Sequence, residues 1–186
     1  AKNRTSIVVA TGKNKLNCLD INTGNQIWKI DVGFKIYSLN SKNDIVYVGG
    51  NRNICAIKAK NGKIIWRNKR IKGRVKATPL INKKTCYCAT SVLYKKNKGR
   101  LYAIKNGKIL WKYEIKGSID SSPVLNKKHI LYVTCQKGWL YAIRKGKLLW
   151  KYDLRGKGKR IRISSPIIVG DILFVASNKL YTFLNN

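Results

Sequence analysis

Apolar residues along this chain either alternate with polar ones or come in runs of four to six. No window shows the 3.6-residue period of a helix with capping signals, so the pattern predicts strands joined by short connections. Strands are expected at 6–10, 16–20 and 26–30, then at 35–39, 45–48, 54–58 and 63–67. That second group is the first full set of four, lettered A to D. Further full sets fall at 76–81, 85–90, 100–104 and 109–115, and at 121–125, 130–134, 139–143 and 148–154. The last three strands are 163–169, 172–176 and 180–184. Three full sets are thus flanked by B, C and D at the start and by A, B and C at the end.

The C–D stretch repeats. Residues 140–150 read LYAIRKGKLLW, 101–111 LYAIKNGKILW, 54–66 ICAIKAKNGKIIW and 16–28 LNCLDINTGNQIW, and a truncated copy, LYTF, occupies 180–183. Trp28, Trp66, Trp111 and Trp150 stand 38, 45 and 39 residues apart. A period near 40 with four strands per repeat is the signature of propeller blades. The expected fold is therefore all-β: a single β-propeller domain over 1–186 built of four-stranded antiparallel blades, three complete and two partial. Eighteen strands fall between the needs of a four-bladed and a five-bladed ring. The chain is accordingly expected to be part of a larger ring, or of one completed by a partner. A bulky aromatic at one place on each outer strand predicts packing between blades for Trp28, Trp66, Trp111 and Trp150. Trp139 is out of register, at a B–C turn, and is the one tryptophan placed to stack a base or sugar. Thr78-Pro79, Ser122-Pro123 and Ser165-Pro166 fall in register on the A strands. Proline cannot donate to a ladder, so this strand should be an edge, facing the central channel; Ser38-Leu39 departs from the rule.

Charge changes the picture more than any motif. Forty Lys and Arg stand against 7 Asp and Glu, a formal net charge of +33, which an anionic partner would relieve. Codon drift in an AT-rich genome accounts for abundant Lys, Asn and Ile but not for the scarcity of Asp and Glu. In a propeller the D–A and B–C connections share one face. Arg52, Arg70, Arg74, Arg100, Arg155, Arg160 and Arg162 fall on or beside them, together with Lys72, Lys95, Lys96, Lys98, Lys157 and Lys159. Arg144 belongs to the opposite, Lys-rich face. The planar guanidinium fork suits phosphate, so these residues form the candidate site, with nucleic acid or another polyanion as the expected partner.

Other chemistry is sparse. Cys18, Cys55, Cys86, Cys88 and Cys135 are an odd number in strand contexts, without metal-ligand or redox spacing. They are expected to be buried free thiols, which favours a reducing, cytoplasmic compartment. His129, the one histidine, follows Lys127-Lys128 at a turn, where exposure is expected, and Asp120 is expected to cap a turn. No P-loop, nucleophile elbow or paired metal-ligand histidines appear. No run reaches the roughly 18 apolar residues of a membrane span, and the N-terminus shows no signal-peptide core.

Cys18 to Trp28 has the layout A-x-D-x-x-T-G-x-x-x-W, with Cys in the Ala place and Asp20, Thr23 and Gly24 in theirs. With the flanking S-S-P and Y-V patterns, the chain resembles the PQQ-like (quinoprotein-type) β-propeller repeat family over almost its whole length. The resemblance implies that each Trp docks between blades while the Thr-Gly turn fixes its strand. The copies depart from that pattern: Lys58 and Asn61 replace Asp and Thr, and the later turns shorten to Lys105-Asn106-Gly107 and Arg144-Lys145-Gly146. A cofactor-binding quinoprotein of this kind would need vicinal cysteines, calcium-ligating groups and a catalytic Asp, none of which can be placed. The expectation is a protein with no cofactor, no metal and no enzymatic activity, acting as a scaffold for nucleic acid or another polyanion. One alternative is a protein-assembly scaffold resembling the outer-membrane-assembly propeller lipoproteins, and a more remote one a degenerate quinoprotein oxidoreductase.

Overall fold

The structure, a computed structural model, describes residues 5–92, 98–155 and 163–184. Its strands are β1 (Ser6–Thr11), β2 (Lys15–Asp20), β3 (Gln26–Asp31), β4 (Ile36–Lys42), β5 (Ile45–Gly50), β6 (Ile54–Lys58), β7 (Ile64–Asn68), β8 (Leu80–Asn82) and β9 (Thr85–Val92). They continue as β10 (Lys98–Lys105), β11 (Lys108–Lys116), β12 (Val124–Leu125), β13 (Leu131–Cys135), β14 (Trp139–Arg144), β15 (Lys147–Asp153), β16 (Ile167–Val169), β17 (Ile172–Ala176) and β18 (Leu180–Leu184). No helix appears among the described residues. Five antiparallel sheets follow in chain order, β1–β3, β4–β7, β8–β11, β12–β15 and β16–β18. This is the expected propeller, with three complete blades between two partial ones.

The three complete sheets carry apolar residues on both sides because each is sandwiched between neighbours, and the two partial sheets each pack one side. Leu16, Val46, Val48 and Ile57 fill the junction between blades 1 and 2, and Tyr47, Ile54, Cys88 and Ile104 the next. Leu101, Leu131, Val133 and Ile143 fill the third, and Tyr132, Leu140, Leu173 and Val175 the fourth. All five cysteines are free and buried, as expected. Burial pushes the Cys55 and Cys88 thiols up to about 12, because a thiolate loses its hydration there.

The tryptophans sit where the repeat places them. Trp28 Nε1–H donates to the Ala59 carbonyl at 2.7 Å, in the C–D turn of the next blade. The glycine of that turn is part of the socket: a Cβ on Gly62 would lie 3.0 Å from Trp28, one on Gly107 3.2 Å from Trp66, and one on Gly146 3.0 Å from Trp111. All three glycines have positive φ, so the turn geometry and the lack of a side chain are needed together. Across the strand pair, Trp28, Trp66, Trp111 and Trp150 face Cys18, Ala56, Ala103 and Ala142. Only a small residue leaves the indole room to lie over its partner strand. A register shift immediately after that small residue recurs in all four C–D hairpins, adding twist to the outer strand.

The A strands differ from the sequence reading. They were expected from 76, 121 and 163, yet they begin at Leu80, Val124 and Ile167, one residue after each proline. Proline has no N–H for the ladder, and the residues before it run between blades instead. There the hydroxyls link neighbours: Thr78 N–H donates to Ser122 Oγ at 3.0 Å, and Ser122 N–H to Ser165 Oγ at 2.9 Å. Where Leu39 stands in place of proline, β4 runs a full seven residues.

Candidate functional site

The basic residues of the D–A/B–C face are held by backbone contacts between connections. Arg52, in the β5–β6 connection, donates its N–H to the Gly73 carbonyl at 2.9 Å. Arg74 forms isolated bridges with Asn51 on one blade and Ser91 on the next. Lys72 N–H donates to the Tyr102 hydroxyl at 3.0 Å, and Thr90 Oγ1 to the Lys72 carbonyl at 2.8 Å. The D–A connection is therefore a staple across the junction of blades 2 and 3. Lys72 and Arg74 on this connection, and Arg52 on the B–C connection bonded to it, make no ion pair among the described residues. The Arg74 guanidinium stands 5.9 Å from the Tyr37 ring centre, and Lys35 Nζ lies 5.5 Å from the same ring.

Arg70 belongs elsewhere. Its N–H donates to Asn68 Oδ1 at 2.8 Å, and the Asn68 amide donates to the Gly107 carbonyl at 2.7 Å. This places it at the outer rim, where β7 meets the C–D turn of the next blade. With Arg67, Lys69 and Lys108 it lines an open cavity of about 660 Å³.

Lys98, Arg100 and Arg155 are partly neutralised. Arg100 lies directly across from Glu114 in the β10–β11 ladder, and its Nη2 reaches Glu114 Oε2 at 2.8 Å while Lys98 Nζ holds the other carboxylate oxygen. These donors draw the Glu114 carboxyl below its ordinary range, the Lys98 hydrogen bond most strongly. Arg155 grips Asp153 through Nη2 at 2.6 Å and Nε at 2.9 Å, and takes that carboxyl down to about 2. Lys95, Lys96, Lys157, Lys159, Arg160 and Arg162 lie outside the described residues.

Three features were not foreseen. Trp139 opens β14, and its ring holds Lys151 Nζ at 4.4 Å and the Arg155 guanidinium at 5.3 Å, so the chain's own cations cover the proposed stacking platform. Asp120 joins two blades rather than capping its own turn: it accepts from Ser91 Oγ at 2.8 Å and from the Gln136 amide, with Lys76 at 3.9 Å. Three of the four docked tryptophans also meet a B-strand tyrosine, with centroids of Tyr47–Trp66, Tyr87–Trp111 and Tyr132–Trp150 at 6.1, 6.0 and 5.7 Å. The recurring Tyr beside Val or Cys in the B strands was the available signal. His129 is exposed at its turn, with φ of 60°.

No three His, Cys, Asp or Glu side chains among the described residues stand close enough to hold a metal ion. Cys86 and Cys88 are separated by Tyr87 and buried between blades, so they do not supply the vicinal pair a quinoprotein-type site would use. Residues 13–104 and 90–184 match the PQQ_2 repeat family, described as outer membrane protein assembly factor BamB. No curated protein matches the chain. Among solved structures, BamB from Moraxella catarrhalis is similar with a TM-score of 0.74 and 16% identity, over 96% of this chain and 58% of that one. The computationally designed Ika8 protein gives 0.77 and 14%, over 99% and 57%. A quinohemoprotein alcohol dehydrogenase from Pseudomonas putida gives 0.76 and 13%, over 97% and 39%. Identities this low speak to fold alone, and this chain spans less than two thirds of the length of each of the three.

Proposed function

The chain belongs to the PQQ_2 repeat family described as outer membrane protein assembly factor BamB, and from that premise we propose that it is a non-catalytic assembly scaffold whose partner is an acidic protein. Support comes from a surface that is basic on connections of both faces, on a body whose blades are locked to one another by docked tryptophans and inter-blade hydroxyls. Such a body presents loops without needing to move. Among the described residues only 5 ion pairs form, which leaves most of the positive charge available to a partner.

A second reading keeps nucleic acid as the partner of the D–A/B–C face, and the observation favouring it is the convergence of Arg52, Lys72 and Arg74. If about six to ten phosphates are neutralised, affinity should fall roughly 10³- to 10⁵-fold between 50 and 200 mM salt. One experiment separates the two: purify the protein with its associated material, wash with rising salt, and assay both nucleic acid and protein in the eluate. One defined acidic protein retained beyond 200 mM salt supports the scaffold. Nucleic acid released over that range supports the second reading, and release of neither removes both.

A further inference from the structure

The groove at the junction of blades 3 and 4, on the face carrying the A–B and C–D turns, has a composition that the D–A/B–C face does not share. It is open, about 390 Å³, and its lining includes Tyr87, Trp111, Lys128, His129, Arg144 and Lys145. Tyr87 and Trp111 are half-buried and form the floor, with ring planes tilted 49° at 6.0 Å. Lys128, His129, Arg144 and Lys145 are exposed on two tight turns at the rim. None of these four makes an ion pair among the described residues. Next to them Lys127 pairs with Asp171 at 3.9 Å, and on the other face Lys76, Lys98, Arg100 and Arg155 have carboxylate partners while Arg52, Lys72 and Arg74 have none among the described residues.

The turns fix the backbone of two of the rim residues. His129 and Lys145 adopt φ of 60° and 48°, a left-handed conformation for which Gly, Asn or Asp is the undemanding choice. Equivalent turns elsewhere in the chain divide: Asn43 and Asp44 have φ of 49° and 57° and Asn106 has φ of 50°, whereas Lys83, in the A–B turn of the preceding blade, has φ of 52°. At this groove, as at Lys83 and Arg52, the chain places a basic side chain in that conformation, which fixes the direction in which the rim residue leaves the turn.

We propose that this groove docks an acidic linear peptide, an extended segment in which an aliphatic or aromatic side chain enters over Tyr87 and Trp111 while flanking Asp or Glu carboxylates meet Lys128, Arg144 and Lys145. The size suits one large side chain and its neighbours. Charge complementarity selects the carboxylates, and the half-buried aromatic floor selects the anchor. A nucleobase fits less well. Stacking needs an open ring face, whereas Trp111 is packed by Gly146, where an added Cβ would come within 3.1–3.3 Å of the indole, and by Tyr87. This names the partner chemistry of the scaffold reading and rests on it, although the groove is spatially separate from Arg52, Lys72 and Arg74.

The test is fluorescence anisotropy on the full chain at 150 mM salt with labelled Asp-Glu-Phe-Asp-Glu, the same peptide carrying Gly for Phe, and an oligothymidylate of equal net charge. The Phe peptide should bind at least tenfold more tightly than the Gly peptide and the oligonucleotide. The double variant Lys128→Glu/Lys145→Glu should lose at least tenfold, while Arg52→Gln/Arg74→Gln should keep the affinity. Equal binding of Phe and Gly peptides, indifference to the Lys128/Lys145 variant, or preference for the oligonucleotide would each overturn the assignment. Near-ultraviolet circular dichroism confirms that each variant is folded. Failure here with an acidic protein still retained in the salt-wash experiment would remove the groove and leave the scaffold standing.

Discussion

At the scale of single residues, the arrangement most open to measurement is the Asp153–Arg155 pair, which decides how available one candidate guanidinium is. Hydrogen bonds from Arg155 take the Asp153 carboxyl from 3.8 down to about 2. A carboxylate with a depressed native value stabilises the fold at pH above its unfolded value, and that contribution is lost as pH falls through the native one. The pair should therefore be intact above pH 3.8 and dissolve as the pH approaches 2. Carbon NMR of the Asp153 carboxyl should give a midpoint near 2, returning towards 3.8 in Arg155→Gln; a native midpoint already at 3.8 would show that the pair does not form in solution. The same pair shows why candidate residues could be named from sequence while their availability could not. Arg155 and Asp153 are two residues apart and could be read together, but Trp139 beneath Arg155 arrives from the neighbouring strand. Arg100 meets Glu114 only because a register shift after Ala103 moves the ladder by one residue; a regular hairpin would have offered Tyr113 instead.

Among elements, the blade junction depends on positions that carry no side chain. Gly50 ends β5 where a Cβ would lie 2.2 Å from the Phe34 ring and 2.5 Å from the Lys35 carbonyl. The ring can turn aside, but the backbone oxygen cannot move without shifting the inter-blade connection. Gly50→Ala should therefore cost about 3 kcal/mol, the upper end for overpacking. Gly107→Ala brings its Cβ only to 3.2 Å from Trp66, and its main penalty is the left-handed backbone, about 1–2 kcal/mol. Urea unfolding of the two variants should rank Gly50→Ala as the more damaging, and the reverse order would mean that the turn geometry rather than the close approach sets the junction. The docking glycines were legible because each ends the turn before a repeated Trp. Gly50 was legible only as a turn signal, since its neighbour Phe34 is distant in sequence. The A strands were overread for a related reason: apolar positions begin at Ala77 and Ile163, but these residues serve the inter-blade core, and the ladder waits until the proline has passed.

For the molecule as a whole, the decisive quantity is a net charge of +33 on 186 residues with so few internal carboxylates to offset it. Repulsion among fixed surface charges opposes the compact state, and its range is set by ionic strength, with a Debye length of about 30 Å at 0.01 M and about 8 Å at 0.15 M. Raising salt over that interval should raise the melting temperature, by about 2–4 °C for every kcal/mol of repulsion removed in a chain of this size. A soluble polyanion should achieve the same shift at far lower ionic strength, because it binds the folded surface instead of merely screening it. Association could counterfeit this result, since Leu180 and Leu184 on the last blade are 64% and 76% exposed and salt that screens like charge also lets such faces meet. Protein concentration separates the causes: screening acts within one molecule and leaves the shift independent of concentration, whereas self-association makes it grow. A concentration-independent rise would show that the positive surface costs the fold stability in the absence of a partner. A melting temperature that stayed flat or fell with salt would show that the charges are spaced widely enough to impose no such cost, and the strongest physical reason for expecting an anionic partner would go with it.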